Sequence, residues 1–262
     1  MLLWLVLACK SVDPAPSDLD ELTHFFYLEF DSEDEARLLD GIDNLQAAWD
    51  REGNIAGGVT GVDEAHREAV GMSPKADFSA IYGVFEIVER SGCSADELGE
   101  LYLYDDQESL FPGKYDDYGR SYDGNQGCFR KGDCDRAEYE VSIAQNIIGK
   151  ALDYEMVIQL RRLRDEQGDT AAVFVRSYMP SPARVGGDTD GPNGFDQTYQ
   201  IEVLVPQKAS RHLHHYAAWN SGRLVGFGPE AEDFWSQRYL SAVEEWNDSL
   251  DLLCGEDKNL WK

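Results

Sequence analysis

Histidines at alternate positions are the first feature of the sequence that could do chemistry. Residues 211–216 read Arg-His-Leu-His-His-Tyr and hold three of the five histidines. If this segment is a strand, His212 and His214 lie on one face, because successive side chains alternate. Zinc sites use such a pair when a third ligand, here His24, His66 or a carboxylate, arrives from elsewhere. The simpler and favoured interpretation is a pair of strand histidines without a metal.

An acidic loop is the second candidate. Residues 188–196 read Asp-Thr-Asp-Gly-Pro-Asn-Gly-Phe-Asp, with carboxylates at Asp188, Asp190 and Asp196. Alternating oxygen ligands and glycine turns are typical of calcium loops. The loop departs from the EF-hand pattern, because Gly191 comes two residues early and Tyr199 stands where a glutamate is needed. We therefore expect a polar hairpin loop, with calcium binding and no other cofactor as the alternative.

Other catalytic motifs are missing from the sequence. It contains no Gly-x-Ser-x-Gly elbow, no His-Glu-x-x-His and no phosphate-binding glycine loop. Paired carboxylates do not indicate a catalytic site here, because a chain with 50 acidic residues contains many such pairs. The sequence therefore favours a non-enzymatic role.

The net charge limits the partners. The formal charge is −27, from 50 acidic and 23 basic residues. Phosphate binding needs a basic footprint, so nucleic acid is excluded as a partner. An acidic surface of this kind instead favours solubility. With 262 residues, 42% of them hydrophobic, the chain is long enough to bury a globular core.

The first eight residues form an apolar run, Met-Leu-Leu-Trp-Leu-Val-Leu-Ala, just before Cys9. Such a run is too short to span a bilayer, which takes about 20 helical residues. It is typical of the apolar part of a signal peptide.

The stretch Val-Leu-Ala-Cys at positions 6–9 resembles the lipobox of bacterial lipoproteins. The resemblance implies that residues 1–8 are removed and that acyl chains on Cys9 anchor the protein in a membrane. It departs from the pattern because no Lys or Arg precedes the apolar run. Lipoproteins that are not exported to the outer membrane carry Asp after the lipidated cysteine. Lys10 stands at this position here, so the resemblance implies export to the outer membrane of a bacterial cell envelope. Residues 9–21, rich in Pro, Ser and Asp, are then expected to be a flexible tether, and 22–262 a single α+β domain.

The remaining cysteines suit an exported protein. They are four, an even number, and an exported protein resides in a compartment that permits disulfides: Cys93, Cys128, Cys134 and Cys254. Four cysteines allow three pairings. Cys128 and Cys134 enclose a short polar loop, and pairing them leaves Cys93 with Cys254. A zinc site is the alternative, although the spacing lacks a Cys-x-x-Cys element.

The first half of the chain predicts mixed elements. Residues 23–30, rich in aromatics, predict a strand, and the pattern Ser-Glu-Asp-Glu from Ser32 predicts a capping box that opens a helix to about residue 50. Residues 51–61 are glycine-rich and predict a loop, followed by a short helix over 63–70. Both a helix and a strand fit 77–90. A second capping box begins at Ser94, and the rest of 92–135 is expected to be irregular and held by a disulfide.

Residues 137–164 fit two structures equally. Alternating apolar residues predict two strands that turn near Gly149, whereas Ile148, Leu152, Met156 and Leu160 also fit helical spacing.

The last part of the chain has the clearest pattern. Residues 171–178, 198–205 and 212–219 predict three strands of an antiparallel meander. A long helix follows over 229–254, with Trp235, Tyr239, Val243 and Trp246 on one apolar face.

This order of elements resembles the helix-grip lipid-binding domains of the START type, in which a curved antiparallel sheet wraps a long C-terminal helix. The likeness rests on the elements of 23–50, the three strands, the turn at 220–224 and the final helix. This sequence departs from the START-type order in the cysteine-bearing stretch 92–135. The resemblance also requires residues 137–164 to form strands. The resemblance implies an apolar pocket lined by Tyr199, Ile201, His215, Trp219, Trp235 and Tyr239.

These patterns lead to one expected function and two alternatives. We expect a lipid-anchored lipoprotein that binds a lipid or another apolar small molecule. The alternatives are an envelope protein-interaction module without a small-molecule site, and a metal-dependent hydrolase that uses His212 and His214.

Overall fold

The computed structural model of the chain describes residues 13–73, 78, 81–122, 124–147, 150–186, 193–208, 210–223, 231–255 and 257–262. The helices in chain order are α1 (Leu19–Leu28), α2 (Glu35–Glu52), α3 (Glu64–Glu68), α4 (Ala95–Tyr102), α5 (Gln107–Leu110), α6 (Gln126–Arg130) and α7 (Ala231–Cys254). The strands are β1 (Ile55–Val59), β2 (Tyr82–Ser91), β3 (Asp117–Tyr122), β4 (Arg136–Ile147), β5 (Lys150–Arg164), β6 (Thr170–Tyr178), β7 (Ala183–Val185), β8 (Gly194–Pro206) and β9 (Arg211–Arg223). A short 3₁₀ helix, Lys258–Leu260, follows α7.

The described strands form one antiparallel sheet. Its order is β1-β2-β9-β8-β6-β5-β4-β3, and the short β7 pairs with β5 and β8. The pairing of β2 with β9 joins segments that are far apart in the chain. The predicted fold class, an α+β domain whose antiparallel sheet packs against a long C-terminal helix, is confirmed.

The strand interpretation of residues 137–164 is confirmed. β4 and β5 pair from Arg136 with Arg161 to Ile147 with Lys150. Tyr139, Val141 and Leu160 are buried on one face of this hairpin. Leu152, Met156 and Leu160 all lie in β5, and residues four apart share one face of a strand as well as one face of a helix, so their spacing fits both structures.

The strand predicted at residues 23–30 is wrong, because residues 23–28 lie in helix α1. The side chain of Asp18 accepts hydrogen bonds from the backbone N–H groups of Asp20 and Glu21 and caps the helix. Leu22, Phe25 and Phe26 then lie at helical spacing on the buried side. Aromatic residues favour strands only weakly, and packing on the sheet overrides that preference.

Two boundaries in this region are also corrected. The ordered fold begins inside the expected tether, because α1 starts at Leu19 and buried Ala15 donates its N–H to Asp40 at 2.7 Å. The cap of α2 is Asp34 rather than Ser32, since the Asp34 carboxylate accepts from the N–H of Arg37 at 3.1 Å.

Further segments are more regular than predicted. The expected loop 51–61 contains strand β1, which pairs with β2 through backbone bonds that its glycines do not prevent. The ambiguous segment 77–90 contributes β2, and the stretch 92–135 contains α4, α5, β3 and α6. The capping box at Ser94 is confirmed. Instead of the turn expected at 220–224, β9 continues to Arg223.

Helices pack on both faces of the sheet, so strand residues can be buried on either side. We name these the α1 face and the α7 face. On the α1 face, helices α1 and α2 pack on a large apolar core that includes Phe85, Phe174, Ile201 and Trp219. The odd-numbered residues of β8 and β9 lie on this face.

On the α7 face, α4 packs on β6 and β8, and Val173, Val175 and Leu204 share one apolar cluster with Leu250 and Leu253 of α7. Val243 of α7 contacts Tyr216 and Ala218 of β9. The even-numbered residues of β8 and β9 lie on this face. Among the described residues, no helix is both long and apolar enough to cross a membrane.

Disulfides join Cys93 to Cys254 and Cys128 to Cys134, with Cα–Cα distances of 5.0 and 5.4 Å. The first holds the end of α7 against the end of β2. Gly92 is required beside it, because its φ of +102° and a carbonyl oxygen of Cys254 only 2.6 Å from a would-be Cβ exclude a side chain.

Candidate functional site

The α7 face carries a buried polar cluster where β8 and β9 meet α4. The hydroxyl of Tyr102 on α4 donates to Glu202 Oε2 at 2.6 Å. His214 Nε2 lies 2.9 Å from the same oxygen. All three residues are buried. Burial, together with the charge of Glu202, raises the pKa of Tyr102 well above its usual value, so the phenol stays a neutral donor.

Other buried polar atoms surround this cluster without partners. His214 Nδ1, His212 Nε2 and Asn247 Oδ1 find no hydrogen-bond partner within the described part of the chain. Each belongs to a residue exposed by 2% or less. Unpaired buried polar atoms are uncommon in folded proteins, so this end of the α7 face is suited to water or a polar group.

A strip of mixed polarity continues from this cluster along the sheet. Ser177 on β6 donates to the side chain of Gln200 on β8 at 3.0 Å. Thr198 on β8 donates to Asn220 on β9 at 2.9 Å. Together with apolar residues of β5 these residues form what we name the inner strip: Tyr154, Met156, Ile158, Ser177, Thr198, Gln200 and Asn220.

Within the described part of the chain, helices cover the inner strip only in part, although it lies in the middle of the sheet. α4 covers Val173 and Leu204 at one end of the strands. The described side chains of α7 pack along β2 and β9. Ile158, Gln200 and Asn220 therefore remain only half-buried, while neighbouring Ser177 and Thr198 are buried. Strands inside a sheet with helices on both faces are usually buried on both sides.

Four residues expected to line a pocket against the C-terminal helix lie on the opposite face. Tyr199, Ile201, His215 and Trp219 belong to the solid core under α1, each exposed by 1% or less. His215 Nε2 lies 3.1 Å from the hydroxyl of Thr23. Burial lowers the pKa of His215 to about 3, so the ring is neutral.

The reason for this difference is the position of α1. Adjacent residues on a strand point to opposite faces. The apolar residues of β8 and β9 were expected to face the C-terminal helix, but they face α1, so the predicted pocket residues lie on the other side of the sheet. The side chains of Trp235 and Tyr239 lie outside the described part of the structure. Their helix packs on the α7 face.

The histidines that were candidate metal ligands lie on opposite faces of the sheet. His212 and His214 do lie on one face, and His212 Nδ1 donates to the carbonyl of Cys93 at 3.0 Å. His24 and His66, offered as third ligands, are bonded to each other on the α1 face. Burial lowers the pKa of His212 to about 4. In the described ranges, no three His, Cys, Asp or Glu residues are grouped as a metal site would require.

The acidic loop is only partly described. Asp188 and Asp190 lie outside the described residues. Asp196 forms an ion pair with Arg184 at 2.6 Å, and both side chains are largely buried. This carboxylate therefore serves to hold β7 beside β8.

Sequence reasoning missed the polar residues of the α7 face. Thr198, Gln200 and Glu202 alternate with apolar Tyr199, Ile201 and Val203, and such alternation is typical of a strand with a solvent face. A buried polar site could be recognised only by considering the polar residues of β8 together with Ser177 and His214 on the neighbouring strands.

No protein-family model matches the chain, and no curated protein matches it. Solved structures with a similar arrangement include norcoclaurine synthase from Thalictrum flavum, with a TM-score of 0.39, 14% identity, and coverage of 67% of this chain and 94% of that one. A START superfamily protein from Mycobacterium smegmatis has a TM-score of 0.37 and 12% identity, covering 64% and 94%. The Zhui aromatase/cyclase of a Streptomyces species has a TM-score of 0.39 and 14% identity, covering 68% and 94%.

These similarities are distant, and they assign no ligand, activity or membrane association to this chain.

Proposed function

We propose that this chain is an exported, lipid-anchored lipoprotein that binds a lipid or another apolar ligand on the inner strip, without catalysis. The observation that carries the proposal is the partial exposure of Ile158 and Gln200 in the centre of a sheet that helices cover on both faces. Filling such a site removes apolar area from water, which contributes roughly 25 cal/mol per Å².

The chemistry of the inner strip narrows the ligand. Tyr154, Met156 and Ile158 offer apolar contact on β5. Ser177 and Gln200 offer hydroxyl and amide groups beside them. Binding sites for small molecules combine an apolar lining with a few placed polar groups. A molecule with an apolar body and one uncharged polar group fits this strip best.

Ligand binding is tested with a neutral apolar dye, because the charge of −27 would repel an anionic one. Purified protein titrated with N-phenyl-1-naphthylamine is expected to bind one equivalent, and added phospholipid or fatty alcohol to displace it. Binding of no dye, or of many equivalents with no competition, would contradict the proposal.

The membrane anchor rests on the lipobox resemblance at Cys9. Two or more acyl chains anchor a protein stably, whereas one gives only marginal binding. Cys9→Ala is expected to release the protein from the membrane fraction and to leave the apolar run of residues 1–8 attached, which intact mass measurement detects. Cys128→Ala serves as a control that leaves Cys9 intact. An anchored Cys9→Ala protein of unchanged mass would refute the lipoprotein assignment.

A further inference from the structure

Five side chains form a continuous chain of close contacts at the edge of the α1 face. The Thr60 hydroxyl lies 2.6 Å from Asp20 Oδ2 and 2.9 Å from His24 Nε2. His24 Nδ1 lies 2.8 Å from His66 Nε2, and His66 Nδ1 lies 2.9 Å from Asp63 Oδ1. The chain thus runs between two carboxylates through one hydroxyl and two imidazoles.

A proton count shows that this chain is one proton short when both rings are neutral. Its four contacts each need a proton, while the hydroxyl and the two neutral rings supply three, and ionised carboxylates supply none.

The position of the gap follows from the same count. The Asp63 carboxylate lies 2.9 Å from His66 Nδ1 and can only accept, while the backbone N–H of Asp63 also reaches Nδ1, at 3.3 Å. The shorter contact, to the charged acceptor, assigns the His66 proton to Nδ1, and Nε2 then accepts. His24 must then donate from Nδ1, which leaves a lone pair on its Nε2. The Thr60 proton can serve Asp20 or His24 but not both. The ionised carboxylate of Asp20 is the nearer and stronger acceptor, so the unfilled position lies between His24 and Thr60.

This position borders an open groove of about 390 Å³ on the surface of α1. The lining includes His24, Thr60 and, from the chain that enters α1, Pro16. His66 lies deeper, 3% exposed, and its ring contacts those of Tyr27 and Trp219.

Charged and titratable groups face the two rings from every neighbouring element. Beside Asp20, α1 contributes Glu21 and Tyr27, and Glu29 follows its end; α2 contributes Arg37, which is paired with Glu29 at 2.8 Å. The segment before α3 contributes Asp63. From α3 come Glu64 and the buried Arg67, which donates to Tyr199 of β8 at 3.2 Å. Acidic groups predominate on the groove side.

We propose that this row of hydrogen-bonded side chains is a binding site for one proton, which enters at Nε2 of His24 and completes the contact with Thr60. The added proton makes His24 a donor to the Thr60 oxygen, and the Thr60 hydroxyl then donates to Asp20 without competition. Each contact of the chain has its proton in this state.

Burial sets the range in which the proton enters. Burial lowers the pKa of His24 below its usual 6.5, and lowers that of His66 to about 4, while Asp20 and Asp63 respectively oppose the shift. The pair is therefore neutral at neutral pH and takes up its proton on acidification. A lowered folded-state pKa means that the unfolded chain binds the proton first. The associated stability is present above about pH 6.5 and declines as the pH falls toward 4.

The test is nuclear magnetic resonance of the whole protein labelled with ¹⁵N-histidine, since five rings give a spectrum that single variants can assign. At pH 8 we expect both His24 and His66 to carry the proton on Nδ1, the less common form in free imidazole. On acidification the two rings should change together and take up one proton between them. A proton on Nε2 of either neutral ring, or two separate protonation steps, would overturn the proposal.

Thr60→Val removes the hydroxyl but keeps the shape and the backbone N–H that bonds Asp20 at 2.6 Å. The proton affinity of His24 should fall about tenfold, or one pH unit. Asp20→Asn should shift it in the same direction. Thr198→Val, which removes a hydroxyl from the opposite face, should leave it unchanged. An unaltered midpoint in the Thr60 and Asp20 variants would contradict the proposal.

Discussion

Gly83 lies directly under the indole of Trp219 and leaves no room for a side chain. A Cβ at this position would come within 2.5 Å of Trp219 Cδ1 and of Val59 Cγ1. The indole is fully buried and donates to the carbonyl of Thr60 at 2.7 Å, so it cannot move freely.

Gly83→Ala is therefore expected to lower the free energy of unfolding by about 1–3 kcal/mol through overpacking, measured by urea denaturation. Gly58→Ala is the matched control in the neighbouring strand, because its nearest atom would be 3.8 Å away. Equal stability of the two variants would contradict this packing.

Glu202 is the other residue on which a single change is informative, because two buried groups depend on one of its oxygens. Glu202→Gln retains the shape but offers a weaker acceptor and two donors. We expect a loss of about 1–3 kcal/mol of stability, since a buried partner loses its hydrogen bond. Glu155→Gln, at an exposed position of β5, should change the stability little. A Glu202→Gln protein as stable as this control would show that the cluster is not maintained by the carboxylate.

At the scale of elements, the helices α2, α3, α4 and α7 and the strands β6, β8 and β9 could be predicted from the sequence, whereas α1 and β1 could not. β6, β8, β9 and α7 follow from the alternation and spacing of apolar residues. α1 was missed because its aromatics suggested a strand, whereas in the structure the side chain of Asp18 caps a helix. β1 was missed because its glycines suggest a loop, and only pairing with β2 makes it a strand.

The disulfide at the end of α7 is expected to stabilise the fold more than the other one. In the chain-entropy model, cross-linking residues 161 apart contributes up to about 5 kcal/mol, and cross-linking residues 6 apart about 2 kcal/mol. The double substitution Cys93→Ala, Cys254→Ala should therefore lower the free energy of unfolding by more than Cys128→Ala, Cys134→Ala. Guanidinium denaturation of both proteins measures this, and the opposite order would argue against the role of the first bridge in fixing α7.

At the scale of the whole molecule, the sequence indicated a sheet with a long helix but not the face on which a ligand would lie. The pocket expected around Trp219 is a solid core, because α1 and α2 fill that side. The polar residues of the opposite face resemble a solvent-exposed row when each strand is considered alone. Their burial depends on α4 and α7, which lie far from β8 in sequence, so no local pattern could reveal the site.

The central claim is that the inner strip has room for a ligand. Ser177→Trp places an indole on this strip, and Ser142→Trp places one at an exposed position of β4 as a control. If the strip is open, the Ser177→Trp protein folds with a stability close to the control and loses at least tenfold in affinity for N-phenyl-1-naphthylamine, while Ser142→Trp binds the dye normally. The most direct measurement is this dye affinity, determined together with the melting temperature of both variants. A Ser177→Trp protein that binds the dye as tightly as the control, or that is destabilised as an overpacked solid core would be, contradicts a ligand site on the α7 face.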